Sequence, residues 1–178
     1  MGDRLRFPGK PSALYRSIKS LLLAGYDDDH LATAPTQIQK LLQLHERKEE
    51  AVLFCGQASP KNFKRDPSKP HVRRADGAWF DFGLTLRHTV EGWEVCAYDY
   101  EIRFPPVDGL TGPEFLRFDL NPPGHPNIVR SHLHVGTDDD GMAVPSPAFL
   151  PAEMLDLLIY GLRREDRIRS ATRSEASP

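Results

Sequence analysis

Trp79-Phe-Asp-Phe-Gly-Leu-Thr-Leu-Arg87 decides the fold, because its period is two: Phe80, Phe82, Leu84 and Leu86 alternate with Asp81, Gly83, Thr85 and Arg87. Successive side chains of a strand point to opposite faces, so this run presents one apolar and one polar face. After a turn-sized gap from His88 to Gly92 the pattern resumes. Cys96, Tyr98, Tyr100, Ile102 and Phe104 take the even positions, with Asp99, Glu101 and Arg103 among the odd ones. A third run alternates Leu116, Phe118 and Leu120 with Arg117 and Asp119, and Ser131 to Gly136 offers a fourth. Short gaps between alternating runs predict an antiparallel meander with one covered face. Strands are expected near 79–87, 93–104 and 114–120, with Ala51 to Cys55 as a further buried strand.

Helical spacing flanks this core. Leu14, Ile18, Leu21 and Leu22 recur at helical intervals from Ser12 to Ala24, where Gly25 and the acidic run Asp27 to Asp29 are expected to end the helix. Pro35 suits the first turn of a second helix reaching Glu50, with Ile38, Leu41, Leu42 and His45 on one stripe. Met154, Leu155, Leu158, Ile159 and Leu162 form the apolar face of a closing helix from Pro151 to Glu165. The fold class read from these elements is α+β. A helical part over 1–50 precedes a sheet of four to five strands and a closing C-terminal helix over 51–165. All of it is one domain, with residues 166–178 expected to be a disordered tail.

Composition narrows the class. At 178 residues the chain suits one core better than two, and 39% hydrophobic with 27% charged residues fits a globular rather than a disordered protein. Cys55 and Cys96 sit in apolar runs and read as buried hydrophobes, not as a disulfide or thiolate–zinc set. With no signal-like or membrane-length stretch, a cytoplasmic protein without a membrane partner is expected. The net charge of −2 hides a basic segment between Gln57 and Gly77. There Lys61, Lys64, Arg65, Arg73 and Arg74 are candidate nucleic-acid contacts, since clustered cations attract phosphates.

The chemistry concentrates downstream. Three of the seven histidines, His125, His132 and His134, fall within ten positions, just after Arg117 and Asp119. Residues two apart on a strand share a face at about 6.6 Å, so Arg117 neighbours Asp119, and His132 neighbours His134. Histidines serve as general acid and base near neutral pH, and arginine stabilises developing anionic charge. Arg117, Asp119, His125, His132 and His134 are therefore the candidate catalytic set for RNA cleavage. The same His-x-His pair can ligate a divalent metal, with Asp119 or His125 completing the set. A tightly held structural ion is not expected, because thiolates are absent, and no metal ligand is assigned. The leading expectation from this chemistry is a ribonuclease with RNA as substrate and no cofactor. A metal-dependent hydrolase and a non-enzymatic protein-interaction module are the alternatives. Phosphate-binding loops, dinucleotide fingerprints, nucleophile elbows and zincin motifs do not occur.

Arg117-Phe-Asp119, the downstream His132-x-His134 and the apolar helix after them resemble the TumE family of bacterial toxin–antitoxin toxins. The resemblance spans Trp93 to Leu162. It implies a toxin-like nuclease held in check by an antitoxin-like protein partner. Leu120 stands where that family has asparagine, although Asn121 is adjacent. The His-x-His pair with Ser146 is also similar to the JAMM metalloprotease pattern, but Phe149 occupies the position of its aspartate.

Overall fold

The structure, a computed structural model, describes residues 5–7, 9–57, 65–106, 112–126, 129–136 and 142–162. Among the described residues, nine strands form one antiparallel sheet. They are β1 (Leu5–Arg6), β2 (Leu42–Glu46), β3 (Glu50–Cys55), β4 (Val72–Arg73), β5 (Trp79–Thr89), β6 (Gly92–Arg103), β7 (Phe115–Leu120), β8 (Ser131–Gly136) and β9 (Met142–Pro145). The main path runs β2-β3-β5-β6-β7-β8-β9, with β1 added beside β6 and β4 beside β5. The helices are α1 (Pro11–Asp27), α2 (Pro35–Leu41) and α3 (Pro151–Asp156), the last continuing as a π-helical turn over Leu157–Gly161.

This architecture corrects the expected one. The molecule is mostly sheet, with twice the number of strands anticipated, and helices play a smaller part. The segment Leu42–Glu46 shows why. Leu42 and His45 fit a helical stripe, yet helix α2 stops at Leu41 and the chain pairs with β3 from Leu42↔Cys55 to Glu46↔Ala51. Backbone pairing with an adjacent buried strand outweighs a seven-residue stretch of helical spacing. His45 is therefore an exposed strand residue edge-on to Phe54. Conversely, α1 runs through Gly25, which serves close packing rather than ending the helix: a Cβ there would lie 2.9 Å from Ile159 Cγ2 in the π-helical turn. The closing helix is shorter than expected, and its tail beyond Leu162 lies outside the described residues.

One face of the sheet packs beneath the helices. Ala51, Leu53, Phe80, Phe82, Leu84, Tyr100 and Ile102 join Ile18, Leu22, Met154 and Leu158 in a single apolar core. Phe82 stacks on Tyr100, with ring centroids 5.2 Å apart, and Phe118 and Leu120 extend the same face. The even-numbered face of β6 holds only as far as Tyr98. Thr85 pairs with Ala97 but Leu86 pairs with Val95, so Cys96 is the extra residue of a β-bulge. Beyond the bulge the parity reverses, and Val95 rather than Cys96 enters the core, where β1 covers it through Leu5↔Val95. Both cysteines are buried and free, and burial pushes the Cys55 thiol well up. Among the described residues no helix is long and apolar enough to cross a membrane.

Candidate functional site

Alternation that sends apolar side chains to the helices sends a second set to the opposite face. Strand register then aligns that set in two adjacent rows. In the first, Gly83, Asp99, Asp119 and His132 stand opposite one another across β5, β6, β7 and β8. In the second, Asp81, Glu101, Arg117 and His134 do the same. A meander with only one covered face would leave this second face to water. Most of it is buried, with Asp81 at 0% and Glu101 at 1% exposure.

Buried charge is costly unless it is paired and hydrogen-bonded. Arg65 supplies the pairing at one end: its Nε donates to Asp81 at 2.8 Å and its Nη2 to Asp99 at 2.6 Å. Burial still pushes Asp81 up to about 7, outweighing the opposing pull of Arg65. Burial likewise raises Asp99 against the same guanidinium. Further along, Arg103 Nε donates to Glu101 at 2.6 Å, and Arg117 Nε donates to Asp119 Oδ2 at 3.1 Å.

The histidine end has a different geometry. His134 Nε2 lies 3.2 Å and His132 Nε2 3.6 Å from the same atom, Asp119 Oδ2. One ligand atom from each of Asp119, His132 and His134 falls within 4.8 Å of the others. An ion bound tetrahedrally at about 2.0–2.1 Å holds its ligand atoms roughly 3.3 Å apart, so the carboxylate–imidazole spacings suit a first-row divalent metal. Asp119 Oδ1 and His134 Nδ1 are buried without a hydrogen-bond partner among the described residues. Burial lowers the pKa of His132, helped by the adjacent His134 and opposed by Asp119, which favours the neutral imidazole that a metal requires. The side chains are not sealed off: His134 keeps 18% of its side-chain surface exposed.

The structure thus brings together Arg117, Asp119, His132 and His134. His125 does not join them; it is exposed on the Pro122–His125 turn. The basic candidates part company. Lys61 and Lys64 lie outside the described residues, and Arg65 is turned inward to Asp81 and Asp99. Arg74 is also buried. Its Nη1 donates to the carbonyls of Leu158 and Leu162, satisfying the C-terminal end of the last helix, and its Nη2 pairs with Asp76. Only Arg73 of the described candidates stays exposed. Sequence reasoning missed that Arg65 belongs to the polar face. Charge sign alone made it a phosphate contact, whereas its partners lie 16 and 34 residues away.

No family model matches this chain, and no curated protein or solved structure matches it either. The resemblance to the TumE toxins therefore rests on the short Arg117-Phe-Asp119 and His132-x-His134 motifs alone.

Proposed function

We propose that this chain is a metal-dependent hydrolase whose centre is Asp119, His132 and His134. The observation that carries the reading is the convergence of three ligand atoms on one partly accessible spot, from the opposed pair Asp119 and His132 and from His134 two residues along the same strand. Two imidazoles and one carboxylate leave further coordination positions for water and substrate. A divalent ion there would supply Lewis acidity and lower the pKa of a bound water towards neutrality. The protein's own residues do the rest. Arg117 holds the Asp119 carboxylate through Nε, and its guanidinium lies beside the centre to stabilise an anionic transition state. Glu101, whose Oε2 lies 3.9 Å from Arg117 Nη1, adds a second anionic neighbour to that guanidinium.

Zinc or cobalt(II) titration of chelator-treated protein tests the centre. One equivalent of cobalt(II) should bind with a four- or five-coordinate absorption spectrum, and His132→Ala with His134→Ala should abolish it while circular dichroism is unchanged. Failure of the folded parent to take up zinc, cobalt, manganese, nickel or iron(II) would overturn the reading. Hydrolysis of a phosphodiester probe should stop on chelation and return with metal. Arg117→Ala should slow it by about 10²–10³-fold, as loss of one transition-state contact does.

A second reading keeps the chemistry metal-free, with RNA as substrate and an antitoxin-like protein as partner. The 3.2 Å approach of His134 Nε2 to Asp119 favours it, since a carboxylate so placed orients an imidazole for proton transfer. Against it, both histidines aim Nε2 at Asp119 while both Nδ1 atoms are enclosed, so neither ring turns a nitrogen outward to a substrate. RNA cleavage insensitive to chelation, together with growth arrest relieved by His134→Ala, would decide for this second reading.

A further inference from the structure

A second concave site lies apart from the histidines. A cleft of about 640 Å³ opens between α2, the start of β2 and the chain segment that carries residues 67–73. Its charged lining among the described residues is one-signed: Lys40, Lys69 and Arg73 contribute three cations and no described carboxylate lines it. The nearest acid along that segment, Asp66, is engaged by the Ser68 backbone N–H at 2.8 Å. Neutral donors accompany the cations, among them Gln37, Gln43 and Ser68, and Leu41, Pro67 and Pro70 add apolar surface.

His71 is the fixed element of the wall. Its Nδ1 donates to the Lys69 carbonyl at 2.8 Å, and its ring stacks on Trp79 with centroids 4.4 Å apart. The backbone beside it is fixed as well, because the Arg73 N–H donates to the buried Thr33 Oγ1 at 2.7 Å. The Arg73 side chain is thus exposed on a pinned backbone, so only its own rotamers remain to be ordered by a ligand.

We infer that this cleft binds an organic phosphate of nucleotide size. Three cations without a carboxylate match a phosphate-monoester dianion better than a monoanion. The volume lies within the roughly 300–1,000 Å³ range of small-molecule sites and is far larger than inorganic phosphate needs. Proline and leucine surface suits the organic part. The glutamine amides, each with a donor and an acceptor edge, suit the hydrogen-bonding edge of a base. The assignment is independent of the metal centre, which sits on other strands.

Trp79 provides the readout. In a Trp93→Phe background it is the sole tryptophan, and its fluorescence reports on the His71 stack. Titration with AMP should change that fluorescence saturably. Inorganic phosphate should compete at least about tenfold more weakly, and adenosine should not compete. Lys69→Glu with Arg73→Glu, both at exposed positions, should weaken AMP binding by about ten- to a hundredfold, and raising the salt should weaken it in the parent. Three results would each overturn the inference: no saturable change at millimolar AMP by fluorescence and calorimetry, equal binding of phosphate and AMP, or unchanged AMP binding in the double variant.

Discussion

The two faces of β5, β6 and β7 share the same strands but solve opposite problems. Beneath the helices, Phe82, Leu84, Tyr100 and Ile102 gain from leaving water and need only shape. On the other face Asp81, Asp99, Glu101 and Asp119 lose solvation, and each needs a guanidinium or an imidazole in a particular place. Period two sorts side chains between faces, but it is silent on whether water reaches the second face. An apolar face tolerates substitution by volume, whereas a buried polar face tolerates it only by partner.

The largest effects should come from breaking each face at its centre. Phe82→Ala, at a fully buried ring stacked on Tyr100, should cost about 3–5 kcal/mol in urea denaturation. Arg65→Ala should be as severe, about 3–5 kcal/mol, because it strands Asp81 and Asp99. The two differ in how they are rescued. Adding Asp81→Asn should recover part of the Arg65→Ala loss and none of the Phe82→Ala loss. Simple additivity in both pairs would show that Arg65 packs by its carbons rather than by its charge.

A second effect on the polar face concerns pH. Asp81 in the folded chain titrates at about 7 rather than at its ordinary 3.8. Between those values the folded protein holds a proton that the unfolded chain has released. This term is therefore fully present below about pH 4 and lost as the pH rises to about 7. Denaturation from pH 4 to 8 should show the parent losing stability relative to Asp81→Asn as pH increases. Parallel curves would mean that Asp81 is ionised throughout.

The smallest effect is the control. Glu46→Gln removes an exposed charge at the edge of the sheet and should change stability by no more than about 0.5 kcal/mol. A larger change would blur the distinction between solvated and enclosed charge on which the comparison depends.

The strands around 79–87, 93–104 and 114–120 were legible because each carries one apolar and one polar face, so parity is written into the residues themselves. Strand β2 was not, since Leu42 and His45 share a helical stripe while Leu42 and Leu44 equally share a strand face, and only the neighbouring β3 selects between them. Strands β4 and β9, of two and four residues, are too short to show a period. At the site, Arg117, Asp119, His132 and His134 were legible because strand spacing places them side by side on paired strands. His125 had proximity in sequence without a shared strand. Arg65 was read by its charge and its basic neighbours, but its role is set by two carboxylates on strands that only the fold brings near.

The bulge at Cys96 has a consequence for how this chain can change length. Elsewhere in β6, losing one residue would exchange the two faces from that point on, driving Asp99 or Glu101 into the apolar core and Tyr100 out of it. Cys96 stands outside the pairing: Ala97 and Val95 already face Thr85 and Leu86, which are adjacent on the neighbouring strand. A deletion there would straighten the ladder and leave every other partner in place, at the cost of the hydrogen bond that Arg130 donates to the Cys96 carbonyl. Within this strand, Cys96 is the position where a one-residue gap is compatible with both the core and the Asp119–histidine cluster.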